Sequence, residues 1–330
     1  MFKIKLLVIF FAACVVLFFQ CQIFQLSQEL NSLRNEYHKQ INTIKVVKKN
    51  TKDDAIIIYN RVPKTGSTSF IGVAYDICKK NDFHVIHVNI SSNNHVLSLP
   101  NQYSIVQNIT KWNDMKPVIY HGHFAYLDFA KYSSIKPLYI NLIRKPLDRL
   151  VSYYYFLRYG DNYRPYLIRK KHGDTMTFDD CVKNNQPDCD PNNMWLQIPF
   201  FCGHAVNCWK PGNKWALAEA KKNLINNYLL VGVTEDLTNF VAVLESTVPR
   251  IFKGATEYFL SSNKSHLRQT VQKIPPSDAT VKKIQNSVVW QMENDLYEFA
   301  LEQFNFVKKH TLNERSQKYM FEKIRPKTNT

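Results

Sequence analysis

Residues 55–70 read AIIIYNRVPKTGSTSF, and this stretch decides the fold. Its apolar, β-branched beginning indicates a buried strand, and the hydroxyl-rich residues after Pro63 lead into a helical pattern. A strand that turns directly into a helix aims backbone N–H groups and the positive end of the helix dipole at one anion. Lys64 adds a positive charge to the same turn. The stretch therefore predicts a phosphate-binding strand-loop-helix.

The turn differs from the phosphate loop of nucleoside triphosphatases. That motif requires glycines six residues and one residue before its lysine, and residues 58–63 contain none. A capped helix start that binds no ligand is the alternative interpretation of these few residues. The sequence thus predicts an anion site and leaves the anion open.

Strand-like and helix-like patterns alternate along most of the chain. Short apolar runs predict strands at 55–59, 84–88, 117–120, 139–143 and 229–233. Helical patterns fall at 67–80, 147–156, 215–227, 236–245 and 278–308. This alternation predicts an α/β fold with a mostly parallel central sheet flanked by helices. Ligands bind such sheets at the carboxyl ends of the strands, where the turn after Tyr59, the histidines after Tyr120 and Arg144 all fall.

The first 24 residues resemble a membrane-targeting segment. Lys3 and Lys5 precede an apolar stretch of roughly 19 residues, near the length that a spanning helix needs, and no small-residue cleavage site follows it. We expect a cytosolic tail at 1–5 and an uncleaved signal-anchor transmembrane helix at 6–24, with a cleaved signal peptide as the alternative. The position of the lysines predicts that the bulk of the chain lies in the lumen.

A stem is predicted at residues 25–54, before a lumenal domain at 55–330. Apolar side chains are spaced by threes and fours, as in a heptad repeat, at Ile23, Leu26, Leu30, Leu33, Tyr37 and Ile44. This spacing predicts a short coiled coil followed by a linker. A single amphipathic stem helix is the alternative, because three heptads are too few to decide.

Five of the seven cysteines follow the predicted anchor. In an oxidising lumen, the short separations predict one disulfide between Cys181 and Cys189 and another between Cys202 and Cys208. Zinc binding is the competing interpretation, although the spacings differ from C-x-x-C. Cys78 is expected to be a buried free thiol.

Charge and glycosylation signals agree with a secretory route. Three N-x-[ST] sequons predict glycosylation at Asn89, Asn108 and Asn263. The formal net charge of +16 predicts a polyanionic partner. Because a lumenal chain does not meet nucleic acid, we expect an anionic glycan. Basic residues concentrate among tyrosines in one tract, Arg158, Arg164, Arg169, Lys170 and Lys171; a solvated surface loop is its alternative interpretation.

Six stretches resemble one enzyme family, in order and along nearly the whole lumenal part. They are RVPKTGSTSF (61–70), YHGHFAYLDFA (120–130), YINLIRKPLDRLVSYYYFLRYGDNYRP (139–165), WLQIPFFCGH (195–204), LVGVTEDL (230–237) and KSHLRQT (264–270). Together they resemble the heparan sulfate 2-O-sulfotransferases. These enzymes are glycosaminoglycan uronyl 2-O-sulfotransferases that use 3′-phosphoadenosine-5′-phosphosulfate, PAPS.

The resemblance implies transfer of a sulfuryl group from PAPS to the 2-hydroxyl of a hexuronic acid, chiefly iduronate, in heparan sulfate, with no metal. It also implies a homotrimer in the Golgi membrane, in single-pass type II orientation. A dermatan or chondroitin uronyl 2-O-sulfotransferase is an alternative, although the resemblance favours heparan at Pro63-Lys64-Thr65. A non-catalytic heparin-binding membrane protein and a lumenal kinase are others, but the chain has no HRD or DFG string for a kinase.

Donor-binding residues follow from the phosphate loop and from the resemblance. Lys64 and the loop after it would bear the charge that grows on the leaving 5′-phosphate. Arg144 and Ser152 match the family's 3′-phosphate site; judged alone, they would be an exposed arginine and a helix serine. The full predicted set is Lys64, Thr65, Gly66, Ser67, Thr68, Ser69, Arg144, Ser152, Ser265, Thr270 and Lys273.

A sugar hydroxyl needs a general base, and histidine suits this role. His121 and His123 lie two residues apart at a strand end; a metal pair is the alternative, although no nearby Asp, Glu or Cys motif completes a ligand set. By resemblance, His123 is the base, His121 supports or positions the acceptor, and Lys64 completes the catalytic set. The predicted acceptor-binding residues are Arg61, Tyr75, His87, His121, Arg164, Arg169 and Arg268.

Position 145 departs from the family pattern. The family usually has Arg-Asp-Pro where this chain has Arg144-Lys145-Pro146. The reversed charge is either an exposed substitution or a change in the turn that aims Arg144.

Overall fold

The computed structural model describes residues 17–28, 31–32, 34–36, 39, 43, 54–90, 95–262 and 269–312. The chain divides into two compact units, Met1–Thr43 and Ile44–Thr330. In the first unit, residues 17–28 are helical and exposed. Among the described residues, no helix combines the length and the apolar character that a membrane crossing requires. Much of the predicted anchor and of the heptad pattern lies outside these residues, so both stay predictions.

A parallel sheet forms the centre of the second unit. In its described part the strands are β1 Ile56–Asn60, β2 His84–His87, β3 Val118–Gly122, β4 Leu138–Ile143 and β5 Tyr228–Val233. Their order is β2-β3-β1-β4-β5, and every neighbouring pair is parallel. All residues of β1, β3 and β5 are buried, as both faces of a covered parallel sheet require. The predicted α/β class with a mostly parallel sheet is confirmed.

Helices connect the strands and cover the sheet. Their bounds are α1 Ser67–Ile77, α2 Leu99–Lys111, α3 Pro146–Tyr159, α4 Phe178–Lys183, α5 Gln197–Cys202, α6 Lys214–Asn227, α7 Leu237–Thr247, α8 Pro249–Phe252, α9 Ala255–Ser261, α10 Asp278–Gln285 and α11 Val288–Leu312. The predicted helix at 278–308 is two helices, α10 and α11. Helix α2 was not expected, because the buried Gln102 interrupts its apolar periodicity.

The cysteines pair as predicted. Cys181 is bonded to Cys189 and Cys202 to Cys208, so neither pair is available as thiolates. Cys78 is a free thiol, and its Sγ donates to the carbonyl of Tyr75 at 3.0 Å. The prediction of a free thiol is confirmed, but the side chain is half-buried rather than buried.

The strand order creates a crevice between β1 and β4. These strands are neighbours, but the chain leaves β1 toward β2 on one side and leaves β4 toward β5 on the other. Such a reversal opens a ligand-binding crevice outside the carboxyl ends of the two strands. The phosphate loop follows β1 and Arg144 follows β4 directly, so both lie at this crevice.

Candidate active site

The loop between β1 and α1 has an unusual backbone. Lys64 and Gly66 adopt positive φ values of 68° and 72°. A lysine in this conformation costs about 1–2 kcal/mol, and such residues cluster at functional sites. At Gly66 a Cβ would lie 3.2 Å from Cγ2 of Thr234, which leaves little space for a larger residue. The loop is therefore compact and leads directly into the first turn of α1, where the backbone N–H groups of the helix favour anion binding.

The Lys64 ammonium lies against other predicted donor-binding residues. Its Nζ donates to Oγ1 of Thr270 at 2.9 Å and lies 4.3 Å from the ring centre of Phe156. Oγ1 of Thr270 is also 3.2 Å from Oγ of Ser152. The structure therefore brings Lys64, Ser152 and Thr270 together from three distant parts of the chain.

Arg144 joins the phosphate loop to the end of β4. Its Nη1 donates to the carbonyl of Lys64 at 3.3 Å. Its backbone N–H donates to Oε1 of Gln197, and its carbonyl accepts from Nε2 of the same glutamine, both at 2.9 Å. The arginine is therefore held at its backbone and at its guanidinium.

These groups line one cleft of about 900 Å³, a size that suits a nucleotide. The predicted residues that line it are Arg61, Lys64, Gly66, Ser67, Thr68, Ser69, His123, Arg144, Ser152, Thr270 and Lys273. The cleft also has an apolar part, formed by Leu157, Leu237 and Phe259. A nucleotide with phosphates needs cationic and hydroxyl groups as well as apolar ones, and the lining of this cleft supplies both kinds.

The hydrogen bonds of His123 fix its tautomer. Nδ1 lies 2.8 Å from the carbonyl oxygen of Arg61, which can only accept, so Nδ1 carries the proton. In the neutral ring, Nε2 is then the basic nitrogen. Burial, followed by the Arg61 guanidinium, lowers the pKa of His123 to about 3. The ring is therefore oriented and neutral, as a general base must be before it accepts a proton.

His121 differs from His123 in that both of its ring nitrogens have side-chain hydrogen-bond partners. Nη1 of Arg61 lies 3.2 Å from Nδ1, and the hydroxyl of Tyr75 lies 2.8 Å from Nε2. Since a guanidinium only donates, Nδ1 accepts, and Nε2–H donates to the tyrosine. His87 stacks on the His121 ring at 4.9 Å. His121, Tyr75 and His87 thus form one cluster against Arg61, and both ring nitrogens of His121 are occupied within it.

Two of the predicted acceptor arginines, Arg164 and Arg169, lie on the segment after α3. The Arg169 guanidinium lies 4.3 Å from the ring centre of Phe156, and its Nη2 is 3.7 Å from the buried carboxylate of Asp161. Arg164 is exposed, and its backbone N–H donates to Oδ1 of Asp161 at 3.0 Å. Asp161 also forms an isolated β-bridge with Thr270. This bridge joins the arginine segment to Thr270, which lines the cleft.

Comparison with known proteins agrees with this geometry. The sulfotransferase family matches residues 48–300 of the chain, which is well over half of its length. The chain belongs to the sulfotransferase family. The Drosophila melanogaster protein named heparin sulfate O-sulfotransferase is 62% identical over 84% of this chain and 80% of that relative. Heparan sulfate 2-O-sulfotransferase 1 from Gallus gallus is 49% identical over 99% and 97%, and that from Mus musculus is 55% identical over 84% and 80%. The resemblance to the heparan sulfate 2-O-sulfotransferases is confirmed.

Two predicted residues of this sulfotransferase point elsewhere. Thr65 is buried, and its hydroxyl donates to the carbonyl of Val62 at 2.9 Å rather than into the cleft. Arg158 was grouped with the exposed basic tract, but it is buried and its guanidinium pairs with Asp174 at 2.7 Å and Asp188 at 2.9 Å. Its guanidinium therefore stabilises the fold through these two ion pairs and does not contribute to the exposed basic surface.

Several predicted positions are not decided by the structure of this sulfotransferase. Asn89 and Asn108 are exposed. Ser265, Arg268 and Asn263 lie outside the described residues. Glycosylation and the roles of Ser265 and Arg268 therefore stay predictions.

The cleft of this sulfotransferase contains residues that sequence reasoning missed. Thr234 and Glu235 line it directly after β5, so the rule that ligands lie at strand ends points to them. His95 lines the cleft, and its Nδ1 donates to the carbonyl of His123 at 3.0 Å, although it belongs to no recognisable motif. Phe156 is one turn beyond Ser152 on α3, which is a helical spacing that could have revealed it.

We expect the His123 imidazole of the sulfotransferase to stay neutral across the pH range of the secretory pathway. Because its pKa is lowered, His123 is protonated only at a pH well below that at which an ordinary histidine is protonated. The neutral form of the ring therefore persists as the pH falls. A ¹⁵N NMR titration of the donor-free protein should show no change at this ring between about pH 5.5 and 7.5. The His123→Ala spectrum identifies the signal, and a midpoint above about pH 6 contradicts the prediction.

Proposed function

We propose that the protein transfers a sulfuryl group from PAPS to the 2-hydroxyl of a hexuronic acid, chiefly iduronate, in heparan sulfate. The observation that carries the proposal is the single cleft that holds a strained lysine loop, Arg144 and an oriented neutral His123. The names of the relatives support heparan sulfate as the acceptor.

PAPS, when bound, supplies the sulfuryl group and a phosphate leaving group that gains negative charge. Lys64 and the N–H groups at the start of α1 stabilise that charge, because they are positioned before the reaction begins. Arg144 and Ser152 hold the 3′-phosphate of the nucleotide. Lys273 adds a cation to the same cleft.

His123 Nε2 takes the proton from the acceptor hydroxyl as that oxygen attacks sulfur. The Nδ1–H bond to the carbonyl of Arg61 keeps the neutral ring in the required tautomer until Nε2 accepts the proton. Arg61, Arg164 and Arg169 bind carboxylate or sulfate groups of the glycan, since guanidinium groups pair with both in bidentate fashion. His121 sets the position of Arg61 through its Nδ1.

We also infer a Golgi membrane protein with a single N-terminal anchor, a lumenal catalytic domain and a homotrimeric assembly. The apolar N-terminal stretch, the two disulfides and the net charge of +16 support this assignment. Gel filtration with light scattering tests the trimer, and a shift in the mobility of the full-length protein after glycosidase treatment tests the secretory route.

The deciding experiment is disaccharide analysis of the product made from PAPS and a panel of desulfated glycans. Heparan-type N-sulfated acceptors should gain 2-O-sulfate on uronic acid. Selective sulfation of dermatan or chondroitin would move the protein to the other uronyl class. If no acceptor gains sulfate while heparin still binds, the protein is a non-catalytic glycan-binding protein.

A further inference from the structure

Gln197 holds the backbone of the arginine at the end of β4. Its Oε1 accepts from the N–H of Arg144 at 2.9 Å, and its Nε2 donates to the carbonyl of Arg144 at 2.9 Å. The glutamine is fully buried. One side-chain amide thus satisfies both polar groups of a single residue and fixes the direction in which that residue leaves the strand.

Gln197 is itself held in place from the opposite side. Oε1 of Glu293, on α11, accepts from the N–H groups of Leu196 and Ile198 at 2.9 and 3.1 Å. These residues flank Gln197 in sequence. The carboxylate therefore anchors the start of α5, and the disulfide of Cys202 closes its other end.

Arg144, whose backbone Gln197 holds, is in turn in contact with the phosphate loop. Its Nη1 donates to the carbonyl of Lys64 at 3.3 Å, and its side chain lines the cleft. A shift of the Arg144 backbone would therefore move a cation of the cleft and one contact of the lysine loop together.

The turn at position 145 is held by contacts that do not involve the side chain of Lys145. The Lys145 side chain is exposed, and its backbone N–H donates to Oε1 of Glu235 at 3.2 Å. The turn is thus braced by Gln197 and Glu235, which lie on other elements. Its geometry does not depend on an aspartate at position 145.

We propose that Gln197 is a positioning residue for donor binding, which it supports by clamping the Arg144 backbone through both atoms of its amide. The proposal rests on the proposed function in one respect, namely that Arg144 binds a phosphate of the nucleotide. Gln197 does not line the cleft itself, so its effect on the donor comes through Arg144.

The test variant is Gln197→Met, which is similar in volume and loses both hydrogen bonds. Calorimetry on the full chain measures the binding of PAP, the nucleotide that remains after PAPS loses its sulfuryl group. We expect the Kd of PAP to rise about tenfold, which corresponds to about 1.4 kcal/mol. The KM for PAPS should rise by a similar factor, whereas the KM for the glycan should stay within about twofold of wild type.

Asn223→Leu is the matched control. The Asn223 amide is also buried, and it donates to the carbonyls of Phe201 and Cys202 at the other end of α5. This variant should lose thermal stability but keep wild-type affinity for PAP. If Gln197→Met does not fold, Gln197→Asn, whose amide is one methylene too short, is measured by the same criteria.

Unchanged PAP affinity in a folded Gln197 variant overturns the inference, as does an equal loss in Asn223→Leu. If the wild-type protein itself fails to bind PAP, the proposed function is wrong instead. The two failures are therefore distinguishable in one set of titrations.

Discussion

Replacement of His123 by alanine should lower kcat by about 10²–10⁴-fold, the usual contribution of a general base. The acceptor hydroxyl must lose its proton as it attacks sulfur, and His123 Nε2 is the basic nitrogen that the hydrogen bond to Arg61 leaves in the neutral ring. The Kd of PAP should stay within about twofold, because the base acts on the acceptor and not on the donor. Initial rates with labelled PAPS and calorimetry with PAP measure the two quantities.

His84→Ala is the control for this prediction. His84 is exposed at the start of β2, and its Nδ1 bonds to the carbonyl of Met115 at 3.0 Å, so it lies at the amino end of the sheet. Its loss should leave kcat unchanged. A His123→Ala enzyme that retains near wild-type turnover would show that the proton goes elsewhere.

His121→Ala distinguishes a positioning role from a catalytic one. Because Nδ1 of His121 accepts from Arg61 and Nε2–H donates to Tyr75, this ring has no lone pair for the acceptor's proton. The loss should therefore raise the KM for the glycan more than it lowers kcat. Equal losses of kcat in the His121 and His123 variants would contradict the assignment.

Much of the site could be predicted because its residues lie beside elements that have strong local signals. The phosphate loop follows an unmistakable buried strand, and Arg144 follows another, so the parallel topology alone brings them to one edge of the sheet. The five strands were located to within a residue or two for the same reason.

What sequence reasoning missed depends on contacts between distant segments. Gln197 meets Arg144 across 53 positions of the chain, and no local pattern marks a glutamine as a backbone clamp. Thr65 lies inside the predicted loop, between the left-handed Lys64 and Gly66, yet its hydroxyl donates to the carbonyl of Val62. Arg158 looks like one more exposed cation in the sequence, whereas in the structure it is buried and forms ion pairs with Asp174 and Asp188. Composition cannot distinguish a cation that binds ligand from one that binds the protein itself.

Replacement of Lys64 by alanine should lower kcat/KM for PAPS by about 10²–10³-fold, as the loss of one preorganised group that stabilises developing charge usually does. The ammonium is tied to Thr270 and Phe156, and the loop adopts a left-handed backbone at this residue, so the charge is in place before the leaving phosphate gains its own. Because that charge is larger in the transition state than in the bound donor, kcat should fall more than PAP affinity.

Lys80→Ala is the matched control for Lys64, since it removes the same charge from an exposed position just beyond α1. It should leave kcat/KM within about twofold of wild type, because a solvent-exposed charge far from the cleft is screened. If both variants lose activity equally, the effect of Lys64 is only that of net charge on glycan binding. A loss confined to PAP affinity, with kcat intact, would instead make Lys64 a ground-state ligand of the nucleotide, and the leaving-group charge would have to be stabilised by the N–H groups of α1 and by Arg144.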